Sequence, residues 1–246
     1  MDGDSFRTAD FTVQHDQEPS EVLLAGFSEW GLAGLTAVDY LVEQLELEQT
    51  GHITAEGLPA ITPFEEGVPR HHTRLFSRSD LDVTVLVGEL FVPVSVSQSF
   101  SDAILDWTGN HGVEEVAVLS GIPVAHAPDE HRAYYIATDD YRKHRLVDQS
   151  VSPMGRGFLD GTNAALVARG LTSSLGVGVF VTPVHAQVPD VDAAIRLVET
   201  VQSVYGLDVD AGPLEAFAEE VRQYYAELAN RMEAQEREMP EDRMYM

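Results

Sequence analysis

Two glycine-bearing segments hold the residue types and spacing that could do chemistry. The first runs Gly26-Phe27-Ser28-Glu29-Trp30-Gly31-Leu32-Ala33-Gly34. Glycines at the passage from a strand to a helix let backbone N–H groups and the helix dipole receive a phosphate. The order is neither G-x-G-x-x-G nor a P-loop, since no Gly-Lys-Ser/Thr follows, and Glu29 sets a negative charge against an anion. The competing reading of Gly26 and Gly31 is a tight turn and close packing of helix on sheet. The second segment is Gly155-Arg156-Gly157, followed by Gly161 and Asn163. Here Arg156 offers a cation to an anionic group. Asn163 is either a polar reader of a ligand or an aid in ordering the first helical turn.

No catalytic or metal-binding constellation accompanies these segments. The nine histidines are scattered, with no H-E-x-x-H and no pair four apart on a helix. His71 and His72 are adjacent, so on a strand they would face opposite sides. Asp139-Asp140 and Glu65-Glu66 are carboxylate pairs of the kind that arise by chance in an acidic chain. No serine lies in a G-x-S-x-G elbow. The chain has no cysteine, which excludes disulfides and thiolate chemistry. The expectation is no catalytic residue, no metal and no cofactor.

The elements that must position the glycine segments follow from periodicity. Glu21–Phe27 reads as a buried strand, and Leu32, Leu35, Val38, Leu41, Val42 and Leu45 mark an amphipathic helix. Strands are predicted at 49–56, 73–76 (as an edge strand), 82–87, 115–119, 134–138 and 176–183, and helices at 97–111 and 162–169. Pro189-Asp190 supplies start signals for a helix with Val191, Ile195, Val198 and Val201 on its buried face. The alternation predicts a three-layer α/β/α fold with a mostly parallel central sheet. It also predicts an N-terminal arm and edge strand at 1–20, a core domain at 21–207, a C-terminal helix at 213–238 and a flexible tip at 239–246.

Charge narrows the partners. Forty-one acidic residues against fifteen basic ones leave a net charge of -26. Such a surface repels nucleic acid and anionic membranes, and suits either a cationic partner or solubility in high salt, as in a halophilic source. No apolar run reaches the roughly 18 residues needed to span a membrane, so the cytoplasm is the expected location. On the last helix Leu214, Phe217, Val221, Tyr224, Tyr225 and Leu228 form one stripe, which either packs on its own domain or joins subunits. Beyond it, Met244-Tyr245-Met246 offers an apolar residue, an aromatic ring and a carboxylate that can pair with a lysine.

Three of these segments together resemble the archaeal and actinobacterial proteasome assembly chaperone family of the second type. They are Gly26 to Leu41, Gly155-Arg156-Gly157-Phe158 with Gly161-Thr162-Asn163-Ala164-Ala165-Leu166, and Pro189-Asp190-Val191-Asp192-Ala193-Ala194. The likeness covers roughly 21–207. It implies a fold similar to nucleoside phosphorylases and hydrolases, self-association into a homo-oligomer, and docking on 20S proteasome α-subunits through a C-terminal hydrophobic-Tyr-any motif. Met244, Tyr245 and Met246 match that motif, with Met where Leu, Ile or Val is more usual. The alternative is a phosphorylase- or hydrolase-like enzyme using the Gly155–Asn163 loop.

Overall fold

The structure is a computed structural model that describes residues 9–124, 130–185, 189–221 and 223. The chain divides into two compact units, Met1–Val209 and Asp210–Met246. In the first, a nine-stranded sheet has the order β1-β3-β6-β7-β2-β8-β11-β9-β10. Its strands are β1 (Asp10–His15), β2 (Val22–Phe27), β3 (Glu48–Glu56), β6 (Thr73–Ser77), β7 (Val83–Gly88), β8 (Glu115–Ile122), β9 (Tyr134–Ala137), β10 (Ser152–Pro153) and β11 (Gly176–Pro183). A two-stranded hairpin, β4 (Phe64–Glu65) and β5 (Val68–Pro69), stands apart.

The centre of the sheet is parallel: β2 pairs β7 and β8, and β8 pairs β11. Toward one edge β7, β6, β3 and β1 run antiparallel in turn. On the other side β9 is antiparallel to β11. The α/β fold expected from alternation is therefore present, but with a mixed sheet. The predicted edge strand at 73–76 is interior, buried between β3 and β7 along its whole length. The edge belongs to β1, whose residues alternate between exposed and partly buried.

Each central strand is buried on both faces, as its Val/Leu-rich run requires. Leu23, Ala25, Phe27, Val116, Val118, Val177 and Val179 face a core with Phe100, Ile104 and Trp107 of α2 (Ser97–Asn110) and Leu166 of α4 (Gly161–Gly170). Against the other face lie α1 (Ala33–Gln44) and α5 (Val191–Tyr205). The approach of α1 is set by glycine. A β-carbon on Gly34 would collide with the carbonyl of Leu119, and one on Gly26 with the carbonyl of Gly34. The short helix α3 (Asp139–Arg145) is not predicted from periodicity; Tyr141 is its buried residue and packs against Gly178 and Phe180.

In the second unit residues 212–221 are helical. Leu214 and Ala218 are buried, Phe217 is 52% exposed and Val221 is partly buried. The buried line thus passes through Leu214 and Ala218, and Phe217 departs from the expected stripe. Tyr224, Tyr225, Leu228, the rest of the helix to 238 and the Met244-Tyr245-Met246 tip lie outside the described residues.

Candidate functional site

The first two parallel connections leave the sheet in opposite senses. From β2 the chain passes through α1 toward one edge, and from β7 it returns through α2 to β8 on the other side of β2. Where connections part in this way a crevice opens beyond the carboxyl ends of the strands. Here it encloses about 1270 Å³ and gathers residues after β2, β7, β8 and β10 together with the start of α4.

Both glycine segments reach it. Gly31, Gly155, Arg156, Gly157 and Asn163 all line the crevice. Gly26 does not; it lies beneath α1, where its lack of a side chain allows close packing. Gly31 and Leu32 both adopt left-handed backbone, with φ of 64° and 50°, at a cost of about 1–2 kcal/mol for the leucine. Two hydrogen bonds hold this turn. The Leu32 amide donates to the Glu29 carbonyl at 3.0 Å, and the Asp190 amide donates to the Gly31 carbonyl at 2.8 Å. The first residue before α5 therefore fixes the lip of the crevice.

The floor is a polar cluster that pattern reading does not assemble. Ser120 Oγ donates to Glu29 Oε2 at 2.7 Å, and Asn163 Nδ2 donates to the same oxygen at 2.8 Å. Asn163 Nδ2 also lies 3.2 Å from Ser120 Oγ. Burial raises the Glu29 carboxyl above the usual carboxylate range, the bonds from Ser120 and Asn163 oppose the rise, and the charge of Asp160 adds to it. Asn163 is 6% exposed, and its Oδ1 is shielded without a hydrogen-bond donor. The one sequence signal of this cluster is a glycine close after two of its members: Ser120 precedes Gly121, and Glu29 stands two residues before Gly31. Above the floor Trp30, Phe91 and Phe158 line the crevice and are largely exposed.

The other candidate groups serve local structure. His71 stacks on His52 with ring centroids 3.7 Å apart, and His72 Nδ1 lies 2.9 Å from Thr73 Oγ1. Glu65 pairs with Arg70, and Asp139 with Arg142. Among the described residues no group of three or more His, Asp or Glu side chains is placed to hold a metal ion, and no helix is long and apolar enough to cross a membrane.

Comparison with known proteins covers nearly the whole chain. The PAC2 family profile matches residues 23–229. No curated protein matches the sequence. Among solved structures, Pyrococcus furiosus PbaA, an archaeal homolog of proteasome-assembly chaperone, superposes with a TM-score of 0.82 at 20% identity, over 95% of this chain and 96% of that one. Pyrococcus furiosus PbaB, an archaeal proteasome activator, gives 0.76 at 18% identity, over 89% and 99%. A proteasome-assembly chaperone homologue from Mycobacterium tuberculosis gives 0.64 at 20% identity, over 84% and 94%.

Proposed function

The chain belongs to the PAC2 family, and from that premise we propose that it is a proteasome-binding protein, a chaperone or adaptor that self-associates and docks on 20S α-subunits through Met244, Tyr245 and Met246. The observation that carries this reading is the end-to-end agreement of the fold with both PbaA and PbaB, whose descriptions are an assembly-chaperone homolog and a proteasome activator. The triplet adds a docking element of suitable chemistry. Tyr245 offers a large, stiff contact surface, and Met244 adds an adaptable apolar side chain. Several tails on one oligomer would bind with avidity even where each is weak.

Two deletions test the reading. The full chain and a variant lacking Met244 to Met246 are mixed with 20S particles in the salt that keeps the protein folded, and co-sedimentation is measured. The full chain is expected to travel with the particle and the truncated chain to stay behind. Equal association of the two would rule out the tail as the docking element. Removing residues 213–246 and measuring oligomeric mass tests self-association through the last helix: a fall to the monomer is expected, and an unchanged mass would place the subunit contact elsewhere.

A further inference from the structure

The crevice has an unused set of binding groups that the tail does not explain. At the floor, both bonds to Glu29 fall on Oε2, leaving Oε1 as the carboxyl's second acceptor. Asn163 Oδ1 is a buried acceptor without a donor among the described residues, and an unsatisfied buried group costs stability until a donor arrives. Asp160 stands at the N-cap of α4 but does not cap it through its side chain. The floor therefore has acceptors to spare and wants donors.

The loop above it has the opposite character. Arg156 is exposed and enters none of the ion pairs among the described residues, in a chain with a net charge of -26. Gly155 and Gly157 flank it. Neither has a left-handed φ, and nothing among the described residues lies within 4 Å of where a β-carbon would stand on either. Unlike Gly26 and Gly34, they are not required by packing among the described residues. Both line the crevice, so side chains there would take up its open space. The exposed rings of Trp30, Phe91 and Phe158 line the same crevice, and an aromatic body would cover them. The volume of about 1270 Å³ is ample for a small molecule, since such ligands fill pockets of about 300–1,000 Å³. A protein surface would cover the rings but would not reach Asn163, which is 6% exposed.

We propose that the crevice binds a small aromatic amine carrying an anionic group. Its amino group donates to Glu29 and Asn163, its ring lies among Trp30, Phe91 and Phe158, and its anion meets Arg156 and the backbone of Gly155 and Gly157.

Two probes share an aromatic amine and an anion on different frames: adenosine 5′-monophosphate ends in phosphate and 4-aminobenzoate in carboxylate. Each is titrated into the full chain by calorimetry, with adenosine and aniline as partners lacking the anion. Saturable binding of at least one anionic probe is expected, with its neutral partner weaker by about tenfold through loss of a charge-assisted pair. Gly157→Val is expected to keep the wild-type Tm and abolish binding. Arg156→Ala is expected to keep the Tm and weaken binding about tenfold. Removing Met244 to Met246 is expected to leave binding unchanged. If neither anionic probe binds the wild-type chain, or if Gly157→Val and Arg156→Ala both bind as wild type does, the proposal is overturned.

Discussion

Burial holds the Glu29 carboxyl above the usual carboxylate range even though Ser120 and Asn163 both donate to it, so its pH dependence has a definite sign. A carboxyl raised in the folded state binds protons more readily there than in the unfolded chain. Stability from it is greatest when it is protonated and falls as pH rises from the unfolded value through the folded one. Glu29→Gln keeps an acceptor for both donors and cannot ionise. The variant is therefore expected to melt near the wild type in mild acid and above it at about pH 8, with the gap widening between. Melting curves of the two chains across that range decide the matter, and a constant gap would mean that Glu29 ionises in the fold as it does in the unfolded chain. Asp190 has the opposite sign. Burial alone would raise it, but the amides of His185 and Ala193 donate to it and hold it below the usual range. Its contribution is present above the unfolded value and is lost as pH falls through the lower folded one. Asp190→Ala is expected to cost about 1 kcal/mol through loss of the cap on α5, with Asp190→Asn losing much less, as read by denaturant unfolding.

Among the elements, α1 shows why glycine placement decides a helix position. Its contact with the sheet leaves no room at Gly34, where an added methyl meets the Leu119 carbonyl, a backbone atom that cannot turn aside. Gly34→Ala is expected to destabilise by about 1–3 kcal/mol as overpacking, while Gly109→Ala, an exposed position with open space in α2, should change stability little or improve it. Equal unfolding midpoints for the two variants would contradict the packing described. The parallel core strands and helices α1, α2, α4 and α5 are legible in the sequence because both signals are local: apolar runs such as Val83–Gly88, and the 3.6-residue stripe of Val191, Ile195 and Val198. Pairing partners are not local. The segment 73–76 reads as a short edge strand, yet lies inside the sheet because β3 and β1 add beyond it. Helix α3 escapes notice because seven residues with one buried side chain, Tyr141, show no period. The site divides in the same way. Each glycine segment stands out alone, but Glu29, Ser120 and Asn163 come from three separate elements, and only the crossing of the chain at β2 brings them within hydrogen-bonding distance.

For the molecule as a whole, the balance of charge sets the conditions in which the fold and its contacts are stable. Fifteen basic residues cannot neutralise forty-one acidic ones, and the excess is spread along the chain, so folding brings like charges together. Such repulsion opposes the compact state. It is long-ranged in dilute buffer, where the Debye length is about 10 Å at 0.1 M, and short-ranged at 1 M, where it is about 3 Å. Ion pairs among the described residues act the other way, and those at the surface, such as Arg78–Asp80 and Arg142–Asp139, contribute only about 0–1 kcal/mol each. Screening should therefore relieve more repulsion than it removes attraction. The Tm is expected to rise as KCl is increased from about 0.1 to about 2 M, most steeply at the dilute end where the Debye length shrinks fastest. The same titration on a chain with several exposed Asp or Glu changed to Asn or Gln should start from a higher Tm and climb less. A wild-type Tm that stays level or falls across the range would mean that the acidic surface does not limit stability.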